Sequence, residues 1–201
     1  MDSTSWKTLS SDRKLQAARA LTPPRFELLG VERCTLGETS NEVALFAFEG
    51  RRFALVPGGT VTLGYDRKHP YVPIAEQAED LAPTQEELGF TLATLLDHHM
   101  SPLRTVTLAP FLMDVEASKQ DAFDEEAIAQ LLEGFRLPTT DEWEYACSGG
   151  ATTLFRWGNH CPSDEISEHA KGFDLHQRRN AFGLVMNQCP TSCWRTSSRS
   201  C

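Results

Sequence analysis

The stretch Phe135-Arg136-Leu137-Pro138-Thr139-Thr140-Asp141-Glu142-Trp143-Glu144-Tyr145-Ala146 constrains the fold more than any other part of the chain. It reads as an extended segment that enters a helix through a strong start signal. Thr139 is placed to be the N-cap, and Glu142 stands three residues on, where its side chain can reach back and complete a capping box. Acidic residues in the first turn suit the positive end of the helix dipole. Gly149-Gly150 is a suitable stop, because glycine takes the left-handed conformation that closes a helix. Trp143 and Tyr145 are large aromatics that a short helix carries only if it has something to pack against. Asp141, Glu142 and Glu144 could be an acid/base group. Capping, the dipole and a buried glutamate paired to Arg136 account for them more simply.

At 201 residues the chain has room for one ordinary domain, and 40% hydrophobic residues are enough for a sizeable core. A net charge of -9 argues against a nucleic-acid or anionic-membrane partner. No run approaches the roughly 20 apolar residues that span a bilayer. The polar start Met1-Asp2-Ser3-Thr4-Ser5-Trp6-Lys7 has no apolar core of a secretory signal, so a cytoplasmic location is expected. In that setting the six cysteines, at 34, 147, 161, 189, 193 and 201, are expected as thiols.

Ser10 or Ser11 can cap a helix that runs to Leu21 and ends at Thr22-Pro23-Pro24. Residues 43–65 suggest an antiparallel meander: Val43 to Phe48, a turn at Glu49-Gly50, Phe53 to Val56, a turn at Pro57-Gly58-Gly59, and Thr60 to Tyr65. Residues 66–83 read as loop. Thr84, with Glu87 three residues on, starts a helix with Leu88, Leu92, Leu95 and Leu96 as its stripe, fraying at His98-His99. A strand through Thr105 to Leu108 is extended by Pro110 to Val115. A helix from Glu125 to Glu133 precedes the capped one. Strands followed by helices and long aromatic-bearing loops indicate an α+β fold. Residues 1–42 form a helical and extended segment packed on the domain, 43–186 the domain itself, and 187–201 a divergent, disordered tail.

Four stretches together resemble the sulfatase-modifying-factor family, the formylglycine-generating enzymes and their relatives. They are Phe53 to Gly64; Arg104 to Leu108 with Phe111, Met113, Asp114 and Glu116; the signature Arg136, Leu137, Pro138, Thr139, Glu142, Trp143, Glu144, Tyr145, Ala146 with Gly149-Gly150; and Leu154-Phe155, Trp157-Gly158-Asn159 and Asn180-Ala181-Phe182-Gly183-Leu184. The resemblance covers about residues 50–186. It implies a C-type-lectin-like α+β fold with short antiparallel strands, few helices and long irregular loops. The family's later elements, including its catalytic cysteine region, have no counterpart, since the pattern is left at about Met186. The C-terminal part of the domain is therefore expected to be missing, and an unpaired edge across residues 43–65 to favour self-association.

The expected function is a non-catalytic module that binds a protein or small-molecule ligand. The alternative that the resemblance implies is a copper-dependent oxidase acting on a protein cysteine, here truncated. A third reading is a degenerate product with no independent role. Cys189 and Cys193 have the ligand type for copper but stand in a tail that predicts disorder, so copper is not expected. Zinc from His160, Cys161, Cys189, Cys193 and Cys201 matches no standard spacing. His98-His99 is read as a polar helix end rather than an iron site, because adjacent helical residues point about 100° apart. Asp164, Glu165 and Asp174 are calcium candidates, as oxygen ligands on the loop that often helps hold calcium in the relatives. Trp143, Trp157 and Phe182 are read as core staples.

Overall fold

The computed structural model describes residues 2–100, 102–116, 135–136, 138–153 and 179–185. Helices α1 (Ser3–Thr8) and α2 (Ser11–Leu21) lead into strands β1 (Glu27–Leu36), β2 (Thr39–Phe48), β3 (Arg51–Val56) and β4 (Gly59–Leu63). Helices α3 (Ala75–Leu88) and α4 (Leu92–Met100) follow, then β5 (Arg104–Leu108), β6 (Phe111–Asp114) and α5 (Thr140–Ser148). The mixture of helices with antiparallel sheets agrees with the α+β expectation. One sheet has the order β1-β2-β3-β6, and a second pairs β4 with β5.

The architecture turns on β2 and β3. Both are apolar on alternate positions of both faces, so both must be covered on two sides. Val43, Leu45, Ala54 and Val56 face one core, which also holds Leu63, Val115, Tyr145, Ala146, Phe182 and Leu184. Ala44, Phe46, Phe48, Phe53 and Leu55 face the other, with Trp6 and Ala18. Phe26 and Phe135 close that second core, with ring centroids 4.8 Å (Phe26–Phe48) and 5.5 Å (Phe53–Phe135) apart. Burying one such side chain contributes about 2–3 kcal/mol.

The N-terminal helices are tied to β2 through one residue. Trp6 Nε1 donates to the Glu42 carbonyl at 2.6 Å, and the Glu42 carboxylate accepts from Ser11 Oγ at 2.9 Å and Lys14 Nζ at 2.5 Å. These helices belong to residues 1–42, read from the sequence as a helical and extended segment. That segment also contributes β1 and the start of β2, so the sheet runs across the expected boundary at residue 42/43.

Several local expectations are corrected. The third strand of the meander does not pair with β3: after Pro57-Gly58 the chain leaves the sheet, and β4 pairs with β5. The expected continuous strand of 105–115 is likewise cut at Ala109-Pro110, so that β5 serves the small sheet and β6 pairs with β3. The backbones cross closely at the two breaks, where a side chain at Gly58 would put a Cβ 2.2 Å from the Leu108 carbonyl oxygen. As a result β2 and β3 are interior strands. Among the described residues the large sheet's outer strands are β1 and β6, while β4, inside the 43–65 segment, pairs with β5 alone.

The single helix expected from Thr84 to His98-His99 is two. Gly89, at φ +72°, closes α3, and Thr91 opens α4 by accepting from the Thr94 N–H at 3.2 Å. Helix α3 begins inside the stretch expected as loop. Its first eight residues are mostly good helix formers, which outweigh Pro83. The expected helix at 125–133 lies outside the described residues. No helix among the described residues is long and apolar enough to cross a membrane.

Candidate functional site

Helix α5 forms as its capping residues dictate. Glu142 N–H donates to Thr139 Oγ1 at 3.2 Å, while Thr139 N–H donates to Glu142 Oε2 at 2.8 Å. Arg136 grips the same carboxylate with both guanidinium nitrogens, at 2.7 and 2.6 Å. These contacts, Arg136 foremost, hold the Glu142 carboxyl well below the usual range, at about 2. Gly149 closes the helix at φ +65°.

A second set of acidic residues on α5 reaches the small sheet. Arg104 Nη2 donates to Asp141 Oδ1 and to Glu144 Oε2, both at 2.6 Å. Glu144 Oε1 accepts from the Gly64 N–H at 2.8 Å. The capped helix thus fixes the end of β4. Its far end is held by Asn180, which is 1% exposed. Asn180 Nδ2 donates to the Ala146 carbonyl at 2.7 Å, and its Oδ1 accepts from the N–H groups of Phe182 and Leu184. Asn41 joins the same corner by donating to the carbonyls of Gly149 and Ala181, each at 3.0 Å.

Between the end of β4, the end of α4 and the residues after α5 lies an open cleft of about 490 Å³. Its described lining is Gly64 and Tyr65 after β4, the loop residues Asp66, His69, Pro70, Tyr71, Val72 and Ile74, Met100 and Leu103 at and after the end of α4, and Thr152 and Thr153. Tyr65 is buried, and its hydroxyl accepts from the Tyr71 N–H at 3.1 Å, which holds the loop. Asp66 accepts from the Lys68 N–H at 2.9 Å and lies 2.8 Å from His69 Nδ1. The His69 contact, above all, keeps the Asp66 carboxyl below its usual range. Beside the loop, Arg67 is ion-paired with Asp97. Val72, Ile74 and Leu103 present exposed apolar surface at the cleft, Val72 being 78% exposed. The volume falls within the range of small-ligand sites.

Residues 116–187 match the sulfatase-modifying factor enzyme 1-like domain. This is a partial domain match within the 201-residue chain. No curated protein and no solved structure matches the chain.

Of the sulfatase-modifying-factor signature read from the sequence, Arg136, Thr139, Glu142, Trp143, Glu144 and Tyr145 gather on and just before α5, with Pro138. Phe182 meets Tyr145 edge to face at 5.2 Å, and Gly183 lies against Cys34. Phe182 is a buried core staple, whereas Trp143 is only partly buried. Leu137, Trp157 and Gly158 lie outside the described residues, as do the calcium candidates Asp164, Glu165 and Asp174. So do His160, Cys161, Cys189, Cys193 and Cys201. His98 and His99 are exposed in the last turn of α4, with ring centroids 5.0 Å apart. Of the two described cysteines, Cys34 is buried and Cys147 partly so, and burial pushes the Cys34 thiol up. Among the described residues no three His, Cys, Asp or Glu side chains converge as a metal site. The cleft itself was not anticipated. Asp66 and His69, at a spacing of three before Pro70, gave a local hint of a structured turn, but the walls come from distant parts of the chain.

Proposed function

We propose that the chain is a sulfatase-modifying-factor-like module that binds a ligand without transforming it, acting in the cytoplasm. The observation that carries this reading is the cleft of about 490 Å³. One of its corners is anchored by the signature helix, because Glu144 holds Gly64. A rigid scaffold bearing a loop-built concave surface is the usual arrangement for recognition. The groups that line it include a carboxylate, an imidazole, tyrosines and threonines, which orient a ligand by hydrogen bonding. The described thiols do not line it, so no covalent step is assigned there. The test is a fragment screen by amide chemical-shift mapping, run beside a peptide-cysteine oxidation assay with added copper. Shifts that map to residues 64–74, 100–103 and 152–153 with no turnover support the module. Copper-dependent oxidation of the peptide would replace it with the oxidase alternative.

A further inference from the structure

We infer that the cleft selects an organic cation, a primary amine carried on an apolar body, with Asp66 and His69 receiving the ammonium group. This rests on the binding reading above and names its ligand class. Among the described residues that line the cleft, Asp66 supplies the one carboxylate, and no lysine or arginine is among them. Arg67, in the same turn, is ion-paired with Asp97 and does not line the cleft.

The chemistry of the pair sets what it can receive. An ionised carboxylate only accepts hydrogen bonds, so at 2.8 Å from Asp66 Oδ2 the His69 Nδ1 must carry the proton. In the neutral ring Nε2 is then an acceptor. The Asp66 oxygens keep lone pairs beyond those used by Lys68 N–H and His69, since two carboxylate oxygens offer about four. The rim therefore presents acceptors and negative charge, which is the complement of an ammonium with its three donors. The net charge of -9 adds a field that draws cations and repels anions. Leu103 and Val72, which line the same cleft, expose 46% and 78% of their surface, and the partly buried Met100 lines it too. An apolar body gains by covering them. A fully polar cation such as a metal aquo ion would leave that surface wet.

The test titrates the full-length chain with 2-phenylethylamine, 2-phenylethanol and phenylacetate, three probes with similar bodies that differ in charge. The readout is amide shift mapping with calorimetry. The amine is expected to bind at residues 64–74 and 103, at least tenfold tighter than phenylacetate. Asp66→Asn should weaken the amine about tenfold and leave the alcohol unchanged. Leu103→Ser should weaken the amine and the alcohol alike. Far-UV dichroism of each variant checks that the fold is kept, and both positions are solvent-accessible enough to make that the expected result. If phenylacetate or the alcohol binds as tightly as the amine, the cation assignment is wrong and the module reading stands. If amine binding survives Asp66→Asn unchanged, the assignment also fails. If none of the three shifts the cleft residues, the cation assignment fails, and the fragment screen decides the module reading separately.

Discussion

At the scale of single residues, Glu142 ties together the start of α5 and the segment before it. Its carboxylate accepts from Arg136 twice and from the Thr139 backbone once, while its own N–H is capped by Thr139. Its carboxyl is lowered from an ordinary 4.5 to about 2. A depressed carboxyl stabilises the fold above its unfolded value and loses that contribution as pH falls through the folded one. The window is therefore pH 4.5 down to about 2. The shift corresponds to on the order of 2–3 kcal/mol at neutral pH, given that Glu142 is buried although Arg136 is mostly exposed. Glu142→Gln should lose about this much in urea unfolding at pH 7. It should also flatten the fall in stability between pH 5 and pH 2. A variant that keeps the wild-type acid slope would show that the carboxylate is not what titrates.

At the scale of elements, the decisive event is the crossing at Gly58, where β3 hands over to β4 beneath the turn from β5 to β6. A Cβ there would meet three backbone atoms, Leu108 O at 2.2 Å and Ala109 C and Pro110 N at 2.6 Å. No flexible side chain can yield, so Gly58→Ala should cost about 3 kcal/mol, at the upper end of overpacking penalties. Chemical denaturation measures it, and a loss below about 1 kcal/mol would mean that the crossing is looser than this geometry. The same crossing explains what could be read from the residues. Helix α5 was legible because its cap, dipole partners and stop are all local: Thr139, Glu142 and Gly149 suffice. Strands β2 to β6 were legible as extended segments, but their partners were not. Alternation along Thr60 to Leu63 is the same whether the strand joins β3 or β5. Strand β1 carries a register irregularity between Leu28 and Gly30 and has a single buried residue, Cys34, so it shows no clean alternation. The cleft shares this fate. Asp66 and His69 announce a turn, whereas Leu103 and Thr152 become its walls only through pairing between remote elements.

At the scale of the whole molecule, two cores share one sheet. Trp6 and Ala18 close one face of β2 and β3, while Tyr145, Phe182 and Leu184 close the other. Each interior strand places alternate side chains in both cores, Phe53 and Leu55 in one and Ala54 and Val56 in the other. Neither core can open without stripping one face of strands the other still needs. Unfolding of the described body should then be a single cooperative event, even though α1 is only six residues long. Trp6→Ala and Phe182→Ala act on opposite faces. Each removes a buried aromatic worth about 3–5 kcal/mol. Trp6→Ala also leaves the Glu42 carbonyl without its indole donor. Both variants should lower the urea midpoint by similar amounts with the slope unchanged, and fluorescence and far-UV dichroism should trace one transition. If instead Trp6→Ala splits the transition, with the α5 side unfolding separately, the sheet does not couple its two faces. The N-terminal helices would then be a dispensable cover rather than half of the core.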